Sequence, residues 1–537
     1  MTIRIYFNLF VLCLSFLLSL YSYSEKVTQP NIIFIMSDDH AAQAIGVYGS
    51  HLASINPTPV LDELASSGIT FANCFVTNSI CTPSRACIIT GQYSHVNGIL
   101  DLEDQEDFSK HDTLGMEKQY LPIEMRKLGY ETAMIGKWHL ITEPNFDYYE
   151  VLPGQGRYFN PDFIKKGDIK WPDNRTKYEG HSTDVITNLA IKWLKNRNHD
   201  KPFFLMHHYK SPHGPFSYAE RYEGYLVDRD IPEPVSMYFR DGWGSEATRG
   251  SNDSLVHTIG ASISDRHIYR NYVDLYEIDT SLPCDMRTHL AYQNYLKRYL
   301  RCIKGIDDNL ERLFSFLKEE GLWDNTIVIY TGDQGMMLGA HDFMDKRWMY
   351  DESMRMPFII HDPRSVKKGI KTDLIINNTD FAPTIIDLAG GTVPDYMQGR
   401  SFKPVIFGNS PENWRDGTYY RYWMHLEHLD VPAHFGIRTR DYKLIFFYGR
   451  HYDNDLMGTK SMYWRDNTAM IRQTPVAWEF YDLKRDPQEL INRYSDPEYT
   501  DIIARLKNDL KDLRSELGDT DNSFPKLKKI IEENWDK

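Results

Sequence analysis

The sequence predicts an α/β protein built on a large, mostly parallel β-sheet, followed by a smaller α+β unit with an antiparallel sheet. Three observations carry this. Apolar runs rich in β-branched or aromatic residues at 31–36, 130–135, 202–206 and 326–330 have the continuous hydrophobicity of strands covered on both faces. Helical patterns, for example at 187–196 and 300–320, separate these runs, and that alternation favours a sheet with helices on both faces. Beyond about residue 411 the pattern shifts to short aromatic-rich runs and one closing helix.

The chain opens with Arg4, a mostly apolar stretch over 5–20, and then Ser22 and Ser24. This reads as a secretory signal peptide over 1–24, and the stretch is short for a membrane span. The protein is therefore expected to be exported, to the periplasm first of all, with no membrane span after cleavage. Five cysteines remain, Cys74, Cys81, Cys87, Cys284 and Cys302, an odd number for an exported chain. A Cys284–Cys302 bridge stays open at this point. The 537 residues exceed one typical domain, and a net charge of -14 argues against a nucleic-acid partner.

Each predicted strand ends in residues suited to chemistry. The first delivers Ser37-Asp38-Asp39-His40 and the second Gly136-Lys137-Trp138-His139. The third leads into Ser211-Pro212-His213-Gly214-Pro215, and the fourth into Thr331-Gly332-Asp333-Gln334. In parallel α/β sheets, ligands bind beyond the carboxyl ends of the strands. Asp38, Asp39, Asp333 and Gln334 offer only oxygen donors, a set that favours calcium or magnesium over zinc.

Between the first two strands lies Cys81-Thr82-Pro83-Ser84-Arg85, continuing through Ala86 to Thr90-Gly91. It reads as a reactive cysteine just before a helix over about 84–89, whose free amides and dipole favour an anion. Arg85 follows one turn on.

This Cys-x-Pro-x-Arg core with its following Thr-Gly resembles the signature of type I, formylglycine-dependent sulfatases. Within that family the chain looks most like bacterial carbohydrate and polysaccharide sulfatases. Ile89 stands where the family usually has leucine, a swap that conserves volume. Residues 129–139 resemble the family's second signature, and the likeness runs from residue 31 to a block at 478–483.

The resemblance implies an alkaline-phosphatase-like sandwich. It also implies that Cys81 is oxidised to formylglycine by a formylglycine-generating or anaerobic sulfatase-maturating enzyme. One calcium ion would bind Asp38, Asp39, Asp333, Gln334 and an oxygen of the modified Cys81; Gln334 stands where many relatives have asparagine or histidine. Lys137 and Lys346 would bind sulfate, Arg85 would hold the nucleophile and carboxylates, His139 would act as base and His213 as acid. The block around Lys346 adds His341 and Arg347 as substrate-binding residues.

In the last quarter, strands are expected at 419–423, 436–440, 442–448 and 478–483, with a helix over 497–517. The division is set at residue 411, giving a catalytic domain over 25–411 and a C-terminal subdomain over 412–537. His425 and His434, with His428 between them, are expected to meet the sugar at the pocket edge. The expected activity is hydrolysis of sulfate esters on a sulfated carbohydrate, with oligosaccharides of an algal polysaccharide such as ulvan first. Glycosaminoglycan or mucin N-acetylglucosamine-6-sulfate is the alternative. A non-catalytic sulfated-glycan-binding protein is the rival of another class, and retention of both Cys81 and His139 opposes it. A phosphatase of the same superfamily would need a serine or threonine nucleophile and two zinc ions.

Overall fold

The computed structural model describes residues 29–102, 114–239, 241–411, 413–452 and 472–537. The expected signal peptide lies outside them. The large sheet is formed by β1 Asn31–Asp38, β2 Ile69–Phe75, β3 Glu131–Lys137, β4 Tyr148–Leu152, β5 Asp162–Lys165, β6 Arg175–Lys177, β7 Phe203–Pro212, β8 Thr326–Gly332, β9 Arg355–Met356, β10 Phe358–His361 and β11 Ile370–Asn377. It is an eleven-stranded sheet in the order β11-β2-β10-β8-β1-β7-β3-β4-β5-β6, with β9 paired to β2 off that path. The central pairs β8–β1, β1–β7, β7–β3 and β3–β4 are parallel, and antiparallel pairing appears only towards the two sides.

Strand β1 shows why its sequence is apolar throughout. All eight residues are buried, because alternate side chains feed two different cores. Ile32, Phe34 and Met36 pack with Ile88 and Ile89 of the helix Cys81–Thr90 and with the helix Phe381–Leu388. Ile33 and Ile35 pack with the helix Ser182–Asn196 and the C-terminal half of a 36-residue helix, Cys284–Glu319. Fully burying one such side chain contributes about 1.5–3 kcal/mol.

The long helix begins sixteen positions before the expected residue 300. Its first half is rich in tyrosine, so it lacks a simple apolar stripe, yet Tyr292, Tyr295 and Tyr299 are buried in a third core. Cys284 and Cys302 stand on this one helix, both as free thiols. At about 1.5 Å rise per residue they are far too distant to bridge.

The second sheet runs β12 Gly417–Tyr422, β13 His434–Thr439, β14 Tyr442–Phe447 and β15 Ala477–Asp482, all antiparallel in sequence order. Leu506 and Leu510 of the helix Thr500–Leu517 join Phe435, Phe446 and Phe480 in its core.

Candidate active site

Four neighbouring strands, β8, β1, β7 and β3, end at one place. Asp38 closes β1, and Asp39 follows with φ +66, so the chain turns sharply and points the second carboxylate back at the first. Tyr299 pins this turn: its hydroxyl donates to the Asp39 carbonyl at 2.7 Å and accepts from the Ala41 amide at 2.9 Å. Carboxylate oxygens of Asp38, Asp39 and Asp333 lie within 4.8 Å of one another, all buried.

Three cations answer these carboxylates. Lys137, the last residue of β3, donates to Asp38, and Lys346 donates to Asp39. Arg85 donates to Asp333 Oδ2 from Nε at 3.0 Å and from Nη2 at 2.8 Å, with Nη2 3.6 Å from Asp38. Burial alone pushes Asp38 up, but Lys137, His213 and Arg85 outweigh it and hold the carboxyl well below its usual range. For Asp333, burial and the nearby Asp38 win over Arg85, and its carboxyl is pushed up to about 7.

Two buried oxygens in this cluster, Asp38 Oδ1 and Gln334 Oε1, accept no hydrogen bond. Leaving buried acceptors unpaired is costly. Three carboxylates and an amide oxygen, two of whose oxygens are unused as acceptors, together suit a hard divalent cation.

The helix Cys81–Thr90 starts at Cys81 itself, three residues earlier than the sequence suggested, after an extended Ile80. Pro83 is at home in a first turn, where no intrahelical partner is needed for its nitrogen. Cys81 is 2% exposed, and burial raises its thiol pKa, partly offset by Lys346 and Lys137.

His139, at φ +55 two residues past β3, is buried with Nδ1 3.5 Å from the Thr82 hydroxyl and Nε2 unpaired. Burial, reinforced by Lys137, holds its pKa well below 6.5, so the ring is neutral. Gly136 permits this arrangement: it has φ +109, and a Cβ there would sit 1.9 Å from the His208 carbonyl oxygen of β7. His213 holds Nδ1 2.8 Å from the Gly214 carbonyl and Nε2 3.7 Å from Asp39 Oδ2, and burial lowers its pKa to about 3.

A pocket of about 560 Å³ opens over this cluster, lined by Cys81, Asp39, His213, Lys346 and Arg347 among others. Four expected residues behave differently from one another. Arg347 lines the pocket, with φ +84 and an ion pair to Asp345. His341 does not line it and stacks on Trp243 at 5.2 Å.

His425 and His434 correct the expectation of a sugar-gripping pair. His425 is fully buried, with ring nitrogens bonded to the Arg472 carbonyl at 3.1 Å and the Ala433 amide at 3.1 Å. His434 is fully buried among Tyr420, Phe447 and Trp348. As the first residue of β13 it points into the core that the alternation of that strand requires. It is His428, on the loop between them, that lines the pocket. The spacing of three histidines flagged the segment without telling the loop residue from the strand residue.

Two residues were not anticipated. Gln155 accepts a hydrogen bond from Lys137 at 2.7 Å and lines the pocket. Lys210, near the end of β7, lies 4.9 Å over the Tyr158 ring, and burial lowers its pKa to about 7.

Residues 30–391 match the family described as Sulfatase, and residues 339–463 and 466–516 match the C-terminal region of N-sulphoglucosamine sulphohydrolase. The chain is 36% identical over 534 residues to an N-acetylglucosamine-6-O-sulfatase of Bacteroides thetaiotaomicron, covering 93% of this chain and 88% of that protein. To an ulvan-active sulfatase of Formosa agariphila it is 26% identical over 502 residues, covering 92% and 81%. A solved structure of a protein in complex with its substrate D-glucosamine-2-N,6-O-disulfate aligns with a TM-score of 0.75 at 34% identity, over 92% of this chain and 100% of that one.

Proposed function

The chain belongs to the sulfatase family and is a sulfuric ester hydrolase, and from that premise we propose that it removes the 6-O-sulfate of glucosamine-type sugars. One observation carries the chemistry: Cys81, Lys346, His213 and Asp39 of the acidic cluster line one pocket of about 560 Å³. The choice of sugar is supported by 36% identity to the N-acetylglucosamine-6-O-sulfatase against 26% to the ulvan-active sulfatase. Ulvan oligosaccharides accordingly rank behind. Residues 25–411 would form the catalytic domain and 412–537 the C-terminal subdomain, in a protein exported to the periplasm through residues 1–24.

Asp38, Asp39, Asp333 and Gln334 would hold a divalent ion, calcium by their all-oxygen character, together with an oxygen on the modified Cys81. That ion and the formylglycine made from Cys81 by a maturation enzyme would supply an ionised hydroxyl as nucleophile. Lys137 and Lys346 bind the sulfate oxygens and stabilise the charge that builds on them. Arg85 holds Asp333 in place through two hydrogen bonds and opposes the burial that raises its pKa. His139, neutral with a free Nε2, would accept the proton of the second hydroxyl at the modified Cys81 as sulfate leaves. His213 protonates the departing sugar oxygen, its low pKa being lifted by the negative charge the substrate brings.

Sulfate release from N-acetylglucosamine-6-sulfate, set beside ulvan oligosaccharides and using protein co-expressed with a maturation enzyme, tests this reading. Release from the glucosamine sugar, absent in Cys81→Ala, is the expected result. Release from ulvan alone overturns the sugar, and full activity in Cys81→Ala overturns the nucleophile.

A further inference from the structure

Three side chains lining the pocket carry a fixed positive charge: Lys346, Arg347 and Arg298. Lys346 is ion-paired with Asp39, and Arg347 with Asp345. Arg298 makes no ion pair among the described residues, and it is neither fully buried nor fully exposed. Among the described lining residues it is the surplus cation.

Its placement is firm. Arg298 precedes Tyr299 on the long helix, and Tyr299 is the residue whose hydroxyl ties that turn to Asp39 and Ala41. The guanidinium lies 5.5 Å over the ring of Tyr276. Tyr276 is in turn stacked on Tyr272 at 5.2 Å, and Tyr272 packs on Tyr295 of the same helix at 4.7 Å. Tyr272 and Tyr276 both line the pocket. A guanidinium held over an aromatic face loses rotamer freedom and still offers N–H donors to a planar or tetrahedral oxyanion. An unpaired arginine beside two neutralised cations is thus set to receive a second negative group, apart from the sulfate held at Lys346.

We propose that Arg298 binds a second anionic group of the substrate, so that the pocket prefers dianionic over monoanionic sugars. This rests on the glucosamine-6-sulfate reading above. The anion has two chemical sources, an N-sulfate on the same ring or the carboxylate of a neighbouring uronate.

The test compares kcat/KM of the matured protein for N-acetylglucosamine-6-sulfate, for glucosamine-2-N,6-O-disulfate, and for a uronate-linked N-acetylglucosamine-6-sulfate disaccharide. The wild type is expected to prefer at least one dianionic sugar by about tenfold or more, the scale of a charge-assisted hydrogen bond; whichever is preferred identifies the source. Arg298→Gln erases that preference and leaves the monosulfated sugar within about twofold, while Arg298→Lys keeps part of it. No preference in the wild type, or one that survives in Arg298→Gln, overturns the inference alone. Equal losses on all three sugars in Arg298→Gln overturn it too. Turnover of none of them by the wild type overturns the glucosamine reading as well.

Discussion

Nε and Nη2 of Arg85 both donate to a single oxygen of Asp333, Oδ2, where the arginine is 3% exposed and the aspartate 0%. Burial and Asp38 raise the Asp333 pKa to about 7 even with this partner in place, and removing one member of a buried pair leaves the other uncompensated. Arg85→Ala is therefore expected to lower the unfolding free energy by about 3–5 kcal/mol, read by denaturant titration. Arg85→Lys should lose less, having the charge without the fork. A midpoint unchanged in Arg85→Ala would show that Asp333 is already neutral in the folded protein.

Gly136→Ala tests the crossing of β3 and β7. The added methyl meets the His208 carbonyl oxygen at 1.9 Å in a backbone conformation at φ +109, so one of the two backbones has to shift. A loss of at least about 2 kcal/mol is expected, together with a large drop in sulfate release, because Lys137 and His139 follow directly. Wild-type melting and turnover in this variant would contradict the packing described.

The acidic cluster predicts a response to divalent ions. A chelator should abolish sulfate release and added calcium restore it. Calcium at 100 times its dissociation constant should raise the unfolding free energy by about 2.7 kcal/mol, visible as an upward thermal shift. Gln334→Ala should need more calcium for the same shift. A melting temperature indifferent to calcium in the wild type would remove the cation from the reading.

Asp307 offers a pH test away from the pocket. Its carboxylate accepts from the amides of Val60 and Leu61 at 3.1 Å each, capping the helix Pro59–Ser66, which has no side-chain cap of its own. Burial pushes its pKa up to about 7 despite these bonds. The folded value is above the unfolded one, so the contribution is full below about pH 4 and is lost as pH rises through about 7. The advantage of wild type over Asp307→Asn, on the order of a few kcal/mol at most, should shrink between pH 5 and 8. An advantage that grows over that range would reverse the assigned shift.

Much of this was legible before any coordinates. The strands at 31–36, 130–135, 202–206 and 326–330 appear as β1, β3, β7 and β8, because strands buried on both faces must be apolar throughout and therefore stand out. The peripheral β4, β5 and β6 escaped notice, being short, and β6 is partly exposed. Asp38, Asp39 and Asp333 stand out in the sequence because acids directly after apolar runs are conspicuous, and the structure brings the three together. Gln155 and Lys210 were not, since a lone glutamine in a loop and a lysine inside a strand carry no local signal. Arg298 was hidden in the same way: its meaning comes from Tyr276 and from the carboxylates its neighbours already use.

The strands β8, β1, β7 and β3 stand side by side, but the residues at their ends are numbered 333, 38, 213 and 137. Distance along the chain and distance across the pocket are thus unrelated. A chain growing from its N-terminus holds Asp39 long before its own partner Lys346 exists, and Arg85 long before Asp333. Activity in such a molecule depends on all four stretches at once, so a chain cut short before Lys346 lacks part of the site rather than forming a weaker one.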